Sequence, residues 1–247
     1  MKAELHRAWR DTLDVVFPRA CVQCQNVVED RGAHALRHVC AACAQQLQIV
    51  GPPHCTTCGH PYFGQMEENR LCEHCEALVP KFGEGKTAIL LKGPGRALIH
   101  ALKYHHGLHV LEDIVALMRR APGYADFIRG KIVVPVPLHT RKERERTYNQ
   151  SRLLAECAVQ AVDGQARIDE VLVRVVDTVS QTQFDRATRQ QNLKNAFAMA
   201  SGAVITPGHH YLLIDDVFTT GSTLNACAAV LRDAGALNLD VVTFGHG

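Results

Sequence analysis

The spacing of apolar positions follows three regimes along the chain, and each marks a different kind of organisation. In residues 3–16, Leu5, Trp9, Leu13 and Val16 form one stripe of an amphipathic helix that ends before Pro18. From there to Pro80 no regular period holds. Beyond Pro80, short apolar runs alternate with helical stripes. KTAILLKG (86–93) predicts a strand, GRALIHALKYHHG (95–107) a helix running into a loop, and HVLEDIVALMRRA (109–121) another helix. KIVVPVP (131–137) is a continuous apolar run ending in prolines, the pattern of a strand buried in a parallel sheet. A basic loop follows, then a helix over 149–162 and a strand at EVLVRVV (170–176). RATRQQNLKNAF (186–197) predicts a polar helix leading to a short strand, and YLLID (211–215) a further strand. STLNACAAVLRDAG (222–235) predicts a helix closed by Gly235, and NLDVVTFGHG (238–247) a final strand. Strands alternating with helices at these spacings predict an α/β fold, a parallel sheet with helices on both faces.

The aperiodic stretch before Pro80 is explained by cysteine. Of ten cysteines, eight stand in four C-x-x-C pairs: Cys21/Cys24, Cys40/Cys43, Cys55/Cys58 and Cys72/Cys75. Two intervening residues suit a turn that aims both sulfurs at one tetrahedral zinc, and two such turns complete a four-thiolate site. The spacing therefore predicts two structural Zn²⁺ sites. Sequential pairing is the first arrangement to consider and a cross-braced pairing, first with third, the second. Because eight thiolates fill two sites, His34, His38, His54, His60 and His74 are read as surface histidines or as neighbours of the ligands. Cys157 and Cys227 lie in helical patterns as buried thiols. The organisation is then a helix at 1–17, a double zinc ribbon at 18–80 and an α/β domain at 81–247, and 247 residues suffice for such a domain plus a small module.

Charge separates the two parts. The formal balance is +2 overall, but it is −2 over residues 1–80 and +4 over 81–247. Each zinc closed by four thiolates adds about two negative charges to the first part, so the ribbons are poor candidates for gripping phosphates and better ones for a protein partner. The basic stretch LHTRKERERTYNQ carries Arg141, Lys142, Arg144 and Arg146, and Arg186, Arg189 and Lys194 add a polar helical face. These segments are the better electrostatic candidates for nucleic acid. The first residues interleave charges with apolar side chains and contain no secretory h-region, and no segment is apolar enough to span a bilayer. The expected location is the cytoplasm.

The chemistry concentrates at YLLIDDVFTTGST, residues 211–223. In an open parallel sheet, ligands collect at the carboxyl ends of the strands. A strand over Tyr211–Ile214 puts Asp215 and Asp216 at such an end. Thr219, Thr220, Gly221, Ser222 and Thr223 then lead into a helix, offering amides, hydroxyls and the positive helix terminus to a monophosphate. Ionised carboxylates accept hydrogen bonds from vicinal hydroxyls. A sugar phosphate fits both halves. A P-loop would need a lysine that this loop lacks.

The run of an apolar strand, two acids and TTGST resembles the phosphoribosyl pyrophosphate (PRPP) signature of type I phosphoribosyltransferases. With FPRAC, the double zinc ribbon, ALIHALKYHHG, PVPLHTRKERERTYNQS and DTVSQTQFDRATRQQNLKNAF, nearly the whole chain resembles the ComF/GntX family of competence-associated, phosphoribosyltransferase-like proteins. Thr147 and Tyr148 stand where that family carries Gly-Phe; the ring is kept and the glycine is not. The resemblance implies that Asp215 and Asp216 hold the ribose hydroxyls and Thr219–Thr223 the 5-phosphate. LKYHHG, with Lys103 and Gly107, is assigned the pyrophosphate, with Mg²⁺ accompanying it. Arg141, Lys142, Arg144 and Arg146 are read either as a hood over the pyrophosphate or as contacts to nucleic acid. The resemblance also implies a role in natural transformation or DNA utilisation, handling incoming single-stranded DNA with helicase or recombination partners. A base-salvage transferase and a PRPP sensor without turnover are the two alternative readings. The sequence specifies no acceptor and no dedicated acid or base, so it leaves turnover open.

Overall fold

The computed structural model describes residues 18–29, 36–64, 68–104, 107–176 and 195–247. The amphipathic helix expected over 3–16 and most of the polar helix expected over 186–197, with Arg186, Arg189 and Lys194, lie outside the described residues, as does His34.

Two single-turn helices, α1 (Ala41–Ala44) and α2 (Glu73–Glu76), each begin directly after a cysteine. Strand β1 (Gly85–Leu90) leads into α3 (Gly93–Tyr104), a 3₁₀ turn (Leu108–Val110), α4 (Leu111–Arg120) and α5 (Tyr124–Ile128). Next come β2 (Ile132–Pro135), α6 (Thr140–Arg146), α7 (Gln150–Ala161), β3 (Arg167–Ile168) and β4 (Leu172–Arg174). The chain closes with β5 (Phe197–Met199), β6 (His210–Phe218), α8 (Ser222–Asp233) and β7 (Asn238–His246).

Five strands form one sheet in the order β1-β7-β6-β2-β3, and every pairing in it is parallel. The apolar runs 211–214 and 132–134 are buried on both sides, as a sheet sandwiched between layers requires. On one face Leu98, Leu102, Ile114, Met118 and Leu154 of α3, α4 and α7 cover Ile89, Val133, Leu212, Ile214 and Phe244. On the other face α8 contributes Leu224, Cys227 and Leu231, joined by Leu172 and Phe197 over Val134, Tyr211, Leu213 and Val241.

The cysteine-rich segment does not stand apart from this body. Cys21, Val39 and Cys43 belong to the first of these cores, whereas Cys55, Cys58, Cys75 and Leu78 belong to the second. The two clusters therefore straddle the β1 edge. The residues joining them run antiparallel along that edge, with Val50 N donating to Ala88 O at 2.9 Å and Leu90 N to Gln48 O at 2.9 Å. A protected edge strand results. The second cluster presses onto the start of β1, where Gly85 N donates to Thr56 O at 2.7 Å and a Cβ on Gly85 would lie 1.9 Å from Thr57 O. Only glycine allows that approach.

Three expectations need correction. EVLVRVV does form a strand, but β4 pairs antiparallel with β5 in a separate two-stranded ladder. Only three residues separate it from β3, too few for the crossover that a parallel neighbour needs. The basic loop is instead the helix α6, which has no buried residue. Strand β6 does not end at Ile214 but continues to Phe218, so both acids lie within it.

Candidate functional site

Strand β2 runs out before β6 does. The last rung between them is Val136 N donating to Ile214 O at 3.0 Å, while β6 continues alongside β7 from Asp215–Thr243 to Phe218–His246. The two acids thus sit where one edge of β6 has lost its neighbour, at the carboxyl end of the sheet, where ligands collect in open parallel sheets.

Each acid is held by a different helix. Asp215 Oδ1 accepts from Ser151 Oγ at 2.9 Å and from Asp216 N at 2.9 Å. Ser151 is fixed by the cap of α7: its amide donates to Asn149 Oδ1 at 3.0 Å, and Asn149 Nδ2 donates to Val136 O at 3.1 Å. Asp216 Oδ2 lies 2.7 Å from Lys103 Nζ, at the last turn of α3, with both side chains largely shielded from water. Burial, and then the neighbouring Asp216 carboxylate, push Asp215 up to about 7 against the pull of the Asp216 amide, Ser151 and Lys103. Asp215 is thereby poised to hold a proton near neutral pH.

The loop after β6 is shaped by Gly221, which adopts φ +72° as the N-cap of the 12-residue α8. A Cβ there would lie 2.6 Å from Phe218 Cζ and 2.8 Å from Leu78 Cδ2, so glycine is needed for both conformation and space. Thr220 Oγ1 donates to Ser222 Oγ at 3.0 Å, Ser222 is buried, and Thr219 is exposed at the loop's start. Hydroxyls and the N-terminal amides of α8 face the same turn, a setting that favours an anion.

The remaining expected residues are placed as follows. Gly107 N donates to Ala101 O at 3.2 Å, closing the end of α3, and a Cβ on Gly107 would lie 2.7 Å from Ala101 O. Its amide is therefore engaged in capping the helix that carries Lys103; the adjoining residues 105–106 lie outside the described residues. Arg141 pairs with Glu145 within α6, and the Arg144 Nε donates to Thr140 O at 3.3 Å. Arg146 reaches Gln150 Oε1 at 2.8 Å and lies over the Tyr104 ring at 5.4 Å, so it meets both α7 and α3. Lys142 shares the exposed helix. Tyr148 Oη donates to Leu102 O at 2.5 Å, which ties the turn after α6 to the Lys103 end of α3. Thr147, in that turn, takes φ +69°, the glycine-like conformation. Ser151 and Asn149 were not singled out from the sequence, although an Asn before an apolar helical stripe is a recognisable N-cap. Gln150 Nε2 is buried beside them and has no partner among the described residues.

The cysteines form two compact clusters. The sulfurs of Cys21, Cys24, Cys40 and Cys43 lie within 4.8 Å of one another, and so do those of Cys55, Cys58, Cys72 and Cys75. Pairing is sequential rather than cross-braced. Cys24–Cys40 and Cys58–Cys72 sulfur distances are 3.7 Å and 3.9 Å. A tetrahedron with Zn–S bonds of about 2.3 Å has edges of about 3.8 Å, so both clusters fit structural zinc. Backbone amides of Thr57 and Cys72 point at Cys55 Sγ and that of His60 at Cys58 Sγ, each at 3.4 Å, as thiolate ligands require.

Two clefts flank these clusters. One, about 780 Å³, lies between the first cluster and α3; Arg19, His38, Arg96, His100 and His109 line it, and none of its described lining residues is acidic. The ribbon segment is acidic in sum yet lines this cleft with Arg19 and His38. The other, about 940 Å³, lies between the second cluster and the ends of β6 and β7. There burial, and then the His60 ring, hold His246 down at about 4.

Residues 12–76 match the double zinc ribbon domain. The chain is similar to competence protein F of Haemophilus influenzae, 28% identical over 232 residues that cover 91% of this chain and 96% of the relative. To the DNA utilization protein YhgH of Salmonella typhimurium it is 30% identical over 217 residues, 84% and 90% of the two chains. To competence protein ComFC of Bacillus subtilis it is 21% identical over 207 residues, 80% and 79%. Among solved structures, a hypoxanthine phosphoribosyltransferase from Staphylococcus aureus aligns at 18% identity and a TM-score of 0.35, covering 54% of this chain and 62% of that one. No helix among the described residues is long and apolar enough to cross a membrane.

Proposed function

The chain belongs to the ComF/GntX family, and on that premise we propose that it binds PRPP and serves DNA utilisation, handling single-stranded DNA in the cytoplasm. The observation that carries the reading is the pair of acids at the open edge of β6. Two carboxylates stand there next to a hydroxyl-rich loop at a helix N-terminus, with a lysine reaching in from α3. In this reading Asp215 and Asp216 accept the ribose 2- and 3-hydroxyls, and Thr219 to Thr223 hold the 5-phosphate. Lys103 exchanges its bond to Asp216 for one to the pyrophosphate. Mg²⁺ accompanies that pyrophosphate, held by phosphate oxygens and water. The printed names of the relatives, competence and DNA utilization proteins, support the DNA role.

For the strand itself, the cleft between the first cluster and α3 offers the better surface. It is lined by two arginines and three histidines. Beyond it α3 presents His100 and the 60% exposed Tyr104, with ring centroids 4.9 Å apart, and then Arg146. Arg96 and Tyr104 are eight residues apart, about 12 Å along a helix, a span of about two nucleotides. Cations alternating with exposed rings suit a single strand, whose phosphates and unstacked bases both need partners.

Calorimetry of PRPP against wild type and the Asp215→Asn/Asp216→Asn variant tests the pocket. Each lost charged hydrogen bond costs about 1.5–3 kcal/mol, so the double variant should bind more than about 100-fold more weakly; equal affinity overturns the reading. In the same preparations, anisotropy of a labelled oligo-dT should show Arg19→Glu/Arg96→Glu weakening binding and flattening the salt slope by about two. An unchanged slope removes this cleft from the DNA path.

A further inference from the structure

A zinc ion has to reach each cysteine cluster from water, and the two clusters differ in how open they are. In the first, Cys24 is exposed and Cys40 half-buried. In the second, Cys55, Cys58 and Cys75 are buried and Cys72 alone is partly open. Cys58 and Cys72 both line the 940 Å³ cleft, which makes that cleft an approach to the second cluster. We propose that the cleft carries a third metal site, in which His60 and His246 dock a divalent transition metal of the zinc class before the cysteines take it. The proposal is independent of the PRPP reading.

Two imidazoles from distant parts of the chain meet at this approach. His60 follows the ligand Cys58 closely in the ribbon, and His246 ends β7, its ring stacked on Phe218 with planes 15° apart. The two histidine rings have centroids 4.7 Å apart and planes 78° apart. His246 Nε2 is buried and has no hydrogen-bond partner among the described residues. In the tautomer protonated at Nδ1, that nitrogen offers its lone pair to a metal. Imidazole nitrogen suits zinc, copper and nickel. Glu73, His74 and Glu76, at exposed positions in α2, line the same cleft and supply further donors.

Charge selects a cation here. Glu73 and Glu76 line the cleft together with two cysteines of the cluster, against Arg70 as the only Lys or Arg among the described lining residues. The Arg70 guanidinium itself lies over the Tyr62 ring at 5.4 Å. The first cleft also gathers three histidines, His38, His100 and His109, but Arg19 and Arg96 line it and none of its described lining residues is acidic. Imidazoles there face a field that repels a metal ion. Among the described residues only the cysteines bring three or more donors within 4.8 Å of one another. A site founded on two histidines therefore holds zinc more weakly than four thiolates do, and a docked ion passes to the stronger set. In that step the imidazole nitrogens and waters leave the metal, four sulfur bonds form, and each thiol gives up its proton to water.

The experiment uses the full chain with both cysteine clusters loaded with zinc. Zn²⁺ and Ni²⁺ are titrated into it by calorimetry, and bound metal is counted by native mass spectrometry. The expected result is one further divalent ion per chain, lost on dialysis while the two zincs stay. His60→Ala/His246→Phe keeps the His60 amide bond to Cys58 Sγ and a ring on Phe218, so it should retain both zincs and bind the further ion more weakly by about tenfold or more. Glu73→Gln/Glu76→Gln, at exposed positions, should weaken it by less. In exchange against isotopically labelled zinc, wild type should show a fast phase from the open first cluster and a slow one from the enclosed second. The histidine variant should slow the second phase severalfold and leave the first unchanged. Absence of a further ion in wild type overturns the proposal, as does its unchanged affinity in the histidine variant. Loss of that ion with an unchanged slow phase supports the site and overturns its loading role.

Discussion

Asp215 combines burial with a neighbouring carboxylate, and its folded-state value near 7 compares with about 3.9 for a free aspartate. Between those values the folded chain binds more protons than the unfolded one, so this group's contribution to stability falls as pH rises from about 4 to about 7 and is flat above. Asp215→Asn removes that slope. The variant should lose less stability than wild type between pH 5 and pH 8, by about 1–3 kcal/mol after screening is allowed for. Thermal unfolding across that range checks it, and parallel slopes would show that the carboxyl is not held up by its surroundings. A buried carboxyl raised this far by burial and a neighbouring acid has the profile of a functional residue. The acids and the eight ligand cysteines were legible from sequence because their chemistry is local: adjacent residues, or pairs two apart. Ser151 was not, because its partner Asp215 is 64 residues away and only the fold joins them. Nor was the Lys103–Asp216 pair, since a lysine at the end of a helix reads equally well as a favourable charge on its terminus.

At the scale of elements, the apolar pattern located four of the five strands of the parallel sheet and the long helices, and failed where burial is absent, as at the two-residue edge strand β3. Helix α6 buries nothing, so no stripe marks it; it forms from good helix formers, a His139 side chain that accepts from Arg141 N, and the Arg141–Glu145 pair. Similarly, EVLVRVV reads as a strand of the parallel sheet, but Val173, Val175 and Val176 are exposed and β4 belongs to a separate two-stranded ladder. Helix α6 ends on Thr147 at φ +69°, where a β-branched residue is strained and glycine is not. The resemblance had flagged this position, since the family carries glycine there. The turn keeps the glycine-like backbone without the glycine, which lets Tyr148 reach Leu102. Thr147→Gly should therefore stabilise the chain by about 1 kcal/mol, net of the entropy that glycine adds to the unfolded state. The melting temperature should rise by about 2–4 °C. A fall would mean that the Thr147 Oγ1 bond to Arg146 O at 2.6 Å outweighs the strain.

For the molecule as a whole, the two clusters border different clefts because they belong to the cores on opposite faces of one sheet. The second is coupled to the loop after β6: Leu78 lies against Gly221, and Lys81 N donates to Asn225 Oδ1 of α8 at 2.6 Å. The first faces α3 across the cleft that Arg19 and His38 help to line, and its backbone is tied to α4, where Asp113 accepts from Arg37 N and His38 N at 2.6 Å and 2.8 Å. Zinc bound by each set of four sulfurs would cross-link two turns of the chain, and its binding energy would count as folding energy for that segment. Removing one metal should therefore have an asymmetric effect. Cys55→Ser/Cys58→Ser should retain one zinc per chain and weaken PRPP binding at least tenfold, with the first cleft's affinity for oligo-dT kept. Cys21→Ser/Cys24→Ser should also retain one zinc but show the reverse, PRPP bound normally and oligo-dT weakly. Metal analysis, calorimetry and anisotropy on the same three preparations decide it. Equal loss of both affinities in both variants would mean that the clusters stabilise the sheet as one unit and that neither serves a particular surface.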